Sequence, residues 1–511
     1  MLHLRPVTAT PREEAIWPSV ESTSPATAFS ERAPLRKLIV AVDADLMDAA
    51  TAQPGDDLNV LAGLLSHPYI TVLRYGDDTP TPQDAPRIDH PLGPPAAVGW
   101  IEVGPENETP VESCSDGTIN AATLVGDFVP AAEGDYSTRA YENLEPAKAA
   151  AKRRADAIAI CAAAASGAHM FITRRDYLHR VEWDLGRGVL AALPETALDL
   201  VALCLRAQGV FAWWRSVDGT GTETMNRGLF YAEGARALLP AWWRWRNAIS
   251  QHVQQTTVAH EHYAVEDREL QNLAAAPLIR LQRALQARDQ VHRALNQPQH
   301  GDTADLVLSN LDIALVMLMA AIDATARVAH RALGLPKGQI FRAGWQSPRW
   351  LIEVRKADGA LADAFDQNTS WNGAVLLVLS RLRNSVHGGA ATPLGIATMV
   401  PGQHDTVIEF FGIDTAELAK YMDRLGGAER WGTRKVVHDR VHFDPDALVE
   451  NLFASAISVI DNSMVATPIE RLEGVSLTEE LSQTPPLRPQ QQAIRRLLAI
   501  ADPPPGTTDG R

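Results

Sequence analysis

A stretch of small residues followed by a short strand is the feature that most constrains the fold of this chain. Residues 155–165 are almost wholly small and apolar, which favours a helix that packs closely on a sheet. Gly167 is suited to ending that helix. Residues 169–172, His-Met-Phe-Ile, then predict a strand. The pattern therefore favours a layered α/β structure.

Acidic residues lie at both ends of this helix and strand unit. Asp156 is close to the predicted start of the helix, and Asp176 follows the strand in the sequence Thr173-Arg-Arg-Asp. Open α/β sheets place ligands just beyond the carboxyl ends of their strands. Carboxylates at helix ends are more often caps, however, so this pair by itself favours a metal site only weakly.

A second segment supports a site at the end of a sheet. Residues 38–45, Leu-Ile-Val-Ala-Val-Asp-Ala-Asp, form a continuous apolar run ending in Asp43 and Asp45, which is typical of a buried parallel strand. Residues 57–74 predict a helix and then another strand. Because a β-α-β order predicts a parallel sheet, we expect the acids of both segments to meet at one sheet edge.

Residues 36–182 resemble the PIN-domain nucleases. The resemblance rests on an aspartate ending the first strand, and then on Asp-Ala-Ile-Ala-Ile, a glycine, an apolar stretch and Thr-Arg-x-Asp in that order. It implies a metal-dependent ribonuclease in which Asp43, Asp156 and Asp176 hold Mg²⁺ or Mn²⁺ and Thr173 positions a water ligand. Hard divalent ions prefer carboxylate oxygens and generate a nucleophile for phosphodiester cleavage.

A further acid of the PIN family is expected between the first and third carboxylates. Glu145 is our choice as a metal ligand, with Glu142 and Asp127 as alternatives. Residues 76–134 are rich in proline, glycine and acidic residues, so we predict an insertion or mobile loop there.

Charge limits the ways in which this chain can act on nucleic acid. The formal net charge of −15 argues against a general nucleic-acid coat protein, because affinity for polyanions comes mainly from Lys and Arg. A metal site could still attract phosphate through its cation. Four arginines flank the predicted acids and could grip RNA phosphates, although a solvated surface is the better expectation for each singly. They are Arg153, Arg154, Arg174 and Arg175.

Composition predicts an ordinary globular protein of two to four domains, with 511 residues, 46% of them hydrophobic and 21% charged. Its three cysteines have no paired spacing, which suggests neither a zinc site nor a disulfide framework. The amino terminus lacks the pattern of a secretion signal. The longest apolar run, Ile313 to Ile322, is too short to span a bilayer. We therefore expect a cytoplasmic protein that does not contact membranes.

Beyond residue 182 the sequence predicts a mainly α-helical half, because Ala, Leu and Arg recur at helical spacing. Two tryptophan clusters stand out, Trp213-Trp214 and Trp242-Trp243-Arg-Trp245. Such clusters can stack single-stranded bases. Packing between helices is the more common role, and we favour it here.

Residues 379–389, Leu-Ser-Arg-Leu-Arg-Asn-Ser-Val-His-Gly-Gly, predict the end of a helix. Arg383 and His387 are spaced to share one helical face. On spacing alone, the favoured interpretation is a C-terminal cap in which both side chains offset the helix dipole.

Residues 303–392 resemble HEPN domains, which are four-helix-bundle ribonuclease and nucleic-acid-associated modules. The resemblance rests on Arg-Asn-x-x-His-Gly closing a helix that follows a long apolar helix. Arg381 meets the family's spacing to the histidine, whereas Arg383 lies too close. The resemblance implies metal-independent cleavage, with His387 as general acid and base, an arginine stabilising the phosphorane and Asn384 orienting them. Such sites commonly form across a dimer.

We therefore expect a PIN-like α/β domain with a three-layer parallel sheet, followed by a mainly α-helical half with a HEPN-like bundle. The predicted divisions are a flexible tail at 1–34, the PIN-like domain at 35–182, a helical connecting region at 183–300, the HEPN-like module at 301–400, a small α/β or helical extension at 401–470 and a mostly flexible tail at 471–511. Within the last tail we expect a short helix near Gln490 to Ile500.

The expected function is a divalent-metal-dependent ribonuclease, toxin-like or serving phage defence by family analogy. RNA is the expected substrate, and a homodimer through the helical half and a neutralising partner protein are expected partners. Two alternatives stay open. One is a non-catalytic RNA-binding or interaction protein with degenerate PIN and HEPN folds. The other is a metal-independent HEPN-type ribonuclease that uses His387.

Overall fold

The structure is a computed structural model, and it describes most of the chain from Leu38 to Ile500. The described residues are 38–43, 46, 57–67, 69–76, 98–103, 110–115, 118–124, 144–175, 189–214, 222–260, 265–297, 301–388, 392–397, 404–410, 415–437 and 440–500. The predicted tail at 1–34 lies outside these ranges.

One sheet of seven strands dominates the first part of the described chain. The strands are β1 (Leu38–Asp43), β2 (Ile70–Tyr75), β3 (Val98–Val103), β4 (Pro110–Ser115), β5 (Thr118–Leu124), β6 (Met170–Ile172) and β7 (Leu190–Ala192). Their order is β5-β4-β3-β2-β1-β6-β7. The five parallel strands are β3, β2, β1, β6 and β7. Strands β4 and β5 extend the sheet beyond β3, and each pairs antiparallel with its neighbour. The expected α/β part with a parallel sheet is confirmed.

Helices cover both faces of this sheet. Successive side chains of each central strand point to opposite faces, and each face packs into its own apolar cluster. The helices are α1 (Asp57–Leu65), α2 (Pro146–Ala165) and α3 (Pro194–Ala207). Ala41 and Phe171 face the alanine-rich side of α2. Val40 and Ile172 face the opposite way, into the cluster that contains α1 and α3. Small side chains let α2 approach the sheet closely, which buries Ala157 and Ala159 completely.

The sheet is wider than the sequence predicts. The segment 76–134, expected to be an insertion or mobile loop, contributes β3, β4 and β5. At the other edge, β7 lies beyond the predicted domain end at residue 182 and pairs with β6. Proline and glycine content suggested a loop because it marks turns, but short strands between such turns can still pair at a sheet edge.

The rest of the described chain is mainly helical, as expected. Its helices are α4 (Arg227–Leu238), α5 (Trp242–His260), α6 (Val265–Leu295), α7 (Gly301–Ala332), α8 (Pro348–Ala357), α9 (Gly359–Asp363), α10 (Trp371–Gly388), α11 (Thr415–Asp423), α12 (Pro445–Ala466), α13 (Glu479–Ser482) and α14 (Pro489–Leu498). Two small antiparallel sheets accompany them, β8 (Phe211–Trp214) with β9 (Thr222–Met225), and β10 (Thr392–Ala397) with β11 (His404–Glu409), β12 (Thr433–Val437) and β13 (Arg440–Phe443).

Helices α6, α7, α10 and α12 pack together as the centre of the helical part. This bundle reaches beyond the predicted module at 301–400, because α6 precedes it and α12 follows it. The apolar cluster of the bundle is continuous with the cluster between α1, α3 and the sheet. Sheet and bundle therefore share one core.

Helix α7 is, among the described helices, the one long and apolar enough to cross a membrane by length and composition. The sequence expectation had been that no segment would qualify. Length and composition are weak grounds by themselves, since the core helix of a soluble protein meets the same criteria. In the structure Leu311, Leu315, Leu318 and Ile322 of α7 are at most 1% exposed and belong to the shared core.

Residues 471–500 were expected to belong to a mostly flexible tail with a short helix near Gln490 to Ile500. The helix is confirmed as α14, but the structure packs this segment onto the body. Ile494, Leu497 and Leu498 of α14 are buried. Helix α4 accepts α14 at Gly234, where an added Cβ would come within 2.6 Å of Leu498 Cδ1. Proline and glutamine content suggested flexibility, whereas the apolar side of this short helix decides its position.

Two buried arginines fix the end of α14. Arg206 forms an ion pair with Asp289, with Nε 2.6 Å from Oδ2, and donates to the carbonyl oxygen of Leu497 at 2.9 Å. Arg288 donates to the carbonyl oxygens of Leu498 and Ala499. The last carbonyls of a helix lack partners within the helix, so these guanidinium groups satisfy them.

We expect Asp289→Asn to destabilise the protein by about 3–5 kcal/mol, because the change leaves the buried Arg206 without its counter-charge. The measurement is the free energy of unfolding from a urea titration. Asp363→Asn, which alters an exposed ion pair with Arg355, is the matched control and should change this value by less than about 0.5 kcal/mol. Equal effects of the two variants would contradict the structural role of the buried pair.

A histidine between two carboxylates makes stability depend on pH. His292 Nδ1 lies 2.9 Å from Asp446 Oδ1, and Nε2 lies 2.8 Å from Glu450 Oε1. Burial and the charge of Arg288 oppose protonation, but the hydrogen bonds to both carboxylates outweigh them, so the pKa of His292 is raised. A raised pKa adds stability that is complete below the ordinary value of 6.5 and is lost as pH rises through the new pKa.

We therefore expect the wild-type protein to lose more stability than His292→Gln when pH is raised from just below 6.5 into the alkaline range. Asp446 and Glu450 have lowered pKa values and stay ionised throughout that range. The measurement is the unfolding temperature of both proteins at each pH. Parallel curves for the two would show that His292 does not carry this dependence.

Candidate functional site

The ends of three parallel strands bring functional side chains together. Asp43 is the last residue of β1 and lies opposite Tyr75 of β2. On the other side of β1, Val42 pairs with Ile172 of β6, so the next residues along, Asp43 and Thr173, leave the sheet side by side. The carboxyl edge of the sheet thus places a carboxylate, a hydroxyl and an aromatic ring next to one another.

Asp156 reaches the same edge from the middle of α2. The sequence placed it near the start of the helix, but α2 begins at Pro146, where proline is well suited to the first turn. Asp156 is only 1% exposed. A carboxylate in this position cannot cap the helix. Its burial therefore requires a counter-charge or hydrogen-bond donors from elsewhere.

Arg175 supplies that counter-charge to both aspartates. Its Nε donates to Asp43 Oδ2 at 2.7 Å, and its Nη1 donates to Asp156 Oδ1 at 2.9 Å. The two carboxylates, which come from β1 and α2, therefore converge on one guanidinium group. We call Asp43, Arg175 and Asp156 the carboxylate–arginine bridge.

A local turn directs Arg175 back over the sheet edge. The backbone N–H of Arg175 donates to Thr173 Oγ1 at 3.1 Å, a short side-chain turn of the kind that threonine forms. The Thr173 hydroxyl donates to Asp43 Oδ2 at 3.0 Å, and its backbone N–H donates to Ala192 of β7. Thr173 is fully buried, so its contacts hold the bridge in register with the sheet.

The charge of Arg175 is strongly favoured. Burial by itself would lower its pKa, but the hydrogen bonds and charges of Asp43 and Asp156 outweigh burial, so the pKa of the guanidinium is raised. Its Cζ lies 5.7 Å from the centre of the Tyr75 ring, within the range of a cation–π contact. The Arg175 side chain is 25% exposed, whereas both carboxylates are nearly inaccessible.

The donor set at this edge fits a hard divalent cation in its chemistry. Carboxylate oxygens are the ligands that Mg²⁺ and Mn²⁺ prefer, and Asp43 and Asp156 already converge on a cation. That cation is the guanidinium of Arg175, so a metal ion would have to take its place. Across the described ranges, no group of three or more His, Cys, Asp or Glu side chains is gathered as a metal site.

The other predicted metal ligands do not join the described site. Glu145 lies just before α2, about 16 Å along the helix from Asp156 at 1.5 Å per residue. It is exposed and pairs with Lys148 at 3.4 Å. The structure does not bring it to the two aspartates. Asp176, the alternatives Glu142 and Asp127, and Asp45 lie outside the described residues.

The arginines that were expected to contact RNA take different positions. Arg175 is engaged with the two aspartates rather than presented to solvent as a phosphate contact. Arg174, its neighbour, is exposed, and so is Arg154 on α2. Arg153 is half-buried. Arg174 is thus the exposed basic residue next to the bridge in the chain, whereas Arg154, two positions before Asp156 on α2, does not share its helix face.

The second predicted site lies at the end of α10, and the structure separates its two arginines. Arg381 points to α11 and pairs with Glu417 at 3.0 Å. Arg383 is half-buried, and its charge acts on Asp323 of α7. Burial raises the pKa of Asp323, and the nearby arginines counteract that rise.

Asn384 is exposed. His387 lies on α10, but its side chain is outside the described part of the structure. On helical spacing Arg383, not Arg381, is the arginine that shares a face with His387. The structure therefore does not draw Arg381 and Arg383 into one site.

Comparisons of the chain with protein-family models, with curated proteins and with solved structures find no match.

Asp43, Asp156 and Thr173, which the sequence predicts as site residues, are brought together by the structure, but the sequence did not indicate the contacts of Arg175 and Tyr75. The predicted strand ended at Arg74, one residue before Tyr75. The sequence did contain a signal for a nearby cation, because an acidic residue on the buried face of a small-residue helix needs a counter-charge. Arg174 and Arg175 both follow strand β6 directly, so either could have supplied that charge. The turn at Thr173 determines that Arg175 is the one that reaches the aspartates.

We expect Arg175→Met to destabilise the protein by about 3–5 kcal/mol, because two nearly inaccessible carboxylates lose their shared counter-charge. Millimolar Mn²⁺ should then raise the unfolding temperature of Arg175→Met more than that of the wild type. The control is the double variant Asp156→Asn with Arg175→Met, which keeps one carboxylate. If Mn²⁺ stabilises the double variant equally, the two aspartates do not form the cation site.

Proposed function

We propose that the protein is a divalent-metal-dependent ribonuclease of PIN-like type, with its site at the carboxyl edge of the sheet. The observation that carries this proposal is the convergence of Asp43 and Asp156 on a single cation. They lie where open parallel sheets hold their ligands. The resemblance of residues 36–182 to PIN-domain nucleases, in which Asp43, Asp156 and Thr173 match site positions, also supports the proposal.

In this proposal Asp43 and Asp156 hold Mg²⁺ or Mn²⁺, and Asp176 is the third ligand. The bound ion would supply a water of lowered pKa and offset charge on the scissile phosphate. Thr173 keeps Asp43 oriented through its hydroxyl hydrogen bond. Arg175 would then leave the bridge and donate to two oxygens of an RNA phosphate, a bidentate contact for which its planar group is suited.

The helical part extends the proposal to a cellular role. A HEPN-like bundle around α7 and α10 would bind RNA or pair two copies of the chain, and a neutralising partner would restrain a toxin-like or defence ribonuclease. These assignments rest on family analogy. The arrangement that supports them is the packing of α7 and α10 within a helical bundle that shares its core with the sheet.

A second candidate function is favoured by one specific observation. Arg175 satisfies both buried carboxylates with good geometry and a raised pKa. Such a bridge can be a structural ion-pair cluster that joins α2 to the strand ends. In this case the sheet is a non-catalytic PIN-like domain, and the protein acts by binding RNA or a partner.

The deciding experiment incubates the purified full-length protein with a mixed RNA pool, with Mn²⁺ or with EDTA, and identifies the end groups of the fragments. We expect cleavage that requires Mn²⁺ and leaves 5′-phosphates. Asp156→Asn should reduce it at least about a hundredfold, as expected for loss of a group essential to the reaction. Asp363→Asn is the matched control on an exposed aspartate and should leave the rate unchanged.

Other results of this cleavage experiment would support a different function or refute the proposed site. Cleavage in EDTA that leaves 2′,3′-cyclic phosphates and is lost in His387→Ala would place the chemistry at the end of α10. Absence of cleavage with either additive, together with RNA retention by the wild-type protein, would favour the non-catalytic candidate. Cleavage that Asp156→Asn does not slow would refute the site at the sheet edge.

A further inference from the structure

A cavity of about 640 Å³ lies in the helical part, far along the chain from the carboxylate–arginine bridge. One wall is the end of α4 and the start of α5, with Arg236, Trp242, Trp243 and Arg246. The opposite wall is the segment 484–491, which leads into α14. The volume falls within the range usual for small-molecule sites.

Hydrogen bonds between the two walls form the cavity without any ligand. The Thr484 hydroxyl donates to the carbonyl oxygen of Pro240 at 3.3 Å. Arg488 donates to Glu233 Oε2 at 2.6 Å, and Gln491 Nε2 donates to the same oxygen at 2.9 Å. Glu233 is buried on α4, so the segment leading into α14 is tied down beside the opening.

The tryptophans of this region divide into two roles. Trp245 is completely buried and donates to the carbonyl oxygen of Met464, which confirms helix packing for that residue. Trp242 lines the cavity, and its indole N–H is committed to the carbonyl oxygen of Ala274 at 3.0 Å. Trp243 also lines the cavity and is half-buried, with Arg246 Cζ 5.3 Å from the ring centre.

The charge of the lining is opposite to that of the protein as a whole. Among the residues that the structure describes, three arginines line the cavity, Arg236, Arg246 and Arg488, and no acidic residue does. Behind the wall, Glu233 accepts from Arg236 and Arg488, which leaves an excess of positive charge. In a chain with a net charge of −15, this local excess selects for an anionic ligand.

We propose that this cavity binds a nucleotide, with the base against Trp243 and the phosphate among Arg246, Arg488 and Arg236. An indole face accepts any base by stacking, and a guanidinium group supplies paired donors to phosphate. An apolar peptide would desolvate the arginines without compensation. Inorganic phosphate alone would contact the arginines but would leave the rings of Trp242 and Trp243 without an apolar partner. Base and phosphate together match both kinds of lining.

The nucleotide is either a free mononucleotide or one residue of an RNA strand, because both present the same base and phosphate. This site is independent of the proposed ribonuclease chemistry. It uses no residue of the bridge, and binding is measured in EDTA, where a metal-dependent cleavage site is silent. Failure of one proposal therefore leaves the other standing.

The test is isothermal titration calorimetry of the full-length protein with 5′-AMP, 5′-UMP, adenosine, inorganic phosphate and a short oligoadenylate. We expect Trp243→Leu, which keeps apolar volume but removes the ring, to weaken AMP and adenosine binding about tenfold or more. Arg246→Gln should weaken AMP but not adenosine. Arg293→Gln, on an exposed arginine of α6 away from the cavity, is the control and should bind as the wild type does.

The outcomes separate the sources and can overturn the proposal. Oligoadenylate binding about tenfold tighter than AMP identifies an RNA strand, and equal affinities identify a free nucleotide. Arg246 is exposed, so Arg246→Gln tests the anion contact even if Trp243→Leu does not fold. The proposal is overturned if no nucleotide binds at millimolar concentration, or if folded Trp243→Leu and Arg246→Gln both bind with wild-type affinity.

Discussion

Buried carboxylates shared with arginine are the constraint on which the arrangement of this protein depends. At the sheet edge, Asp43 and Asp156 are both almost inaccessible and converge on Arg175. Burying two such charges would be prohibitive without a cation between them. The position of α2 relative to β1 is thereby linked to that cation. Because both carboxylates share one guanidinium group, the metal ion of the proposed ribonuclease would have to displace Arg175.

The helical part also pairs a buried carboxylate with an arginine, but there the arginine is less exposed. Arg206 lies between Asp289 and the last carbonyls of α14, and its side chain is only 5% exposed. The Arg175 side chain is 25% exposed, although its two carboxylate partners are nearly inaccessible. The same kind of ion pair is therefore sealed inside the helical part and partly open to solvent at the sheet edge. The proposed function requires Arg175 to leave its partners, and its greater exposure makes that change less costly than it would be for Arg206.

Much of the architecture could be predicted from the sequence, for identifiable reasons. The continuous apolar run ending in Asp43 and the alanine-rich stretch before Gly167 are strong local signals, so β1, α2 and β6 were expected, although α2 begins earlier than predicted. The strands β3, β4 and β5 were not, because they lie between turn-forming residues and gain stability mainly from pairing with neighbours. The bridge was only half predictable. Local sequence identifies the acids, but which arginine reaches them depends on the turn made by Thr173.

Sharing one core between the sheet and the helical bundle has a consequence for the order in which the chain folds. Asp57 at the start of α1 pairs with Arg496 of α14, 439 residues later. Ile494 and Leu498 of α14 belong to the same apolar cluster as Val40 of β1. Contacts of such long range form late and slowly, since a large loop must close first. During synthesis this face of the sheet therefore stays incomplete until α14 has been made. That interval is when the emerging chain most needs protection from aggregation.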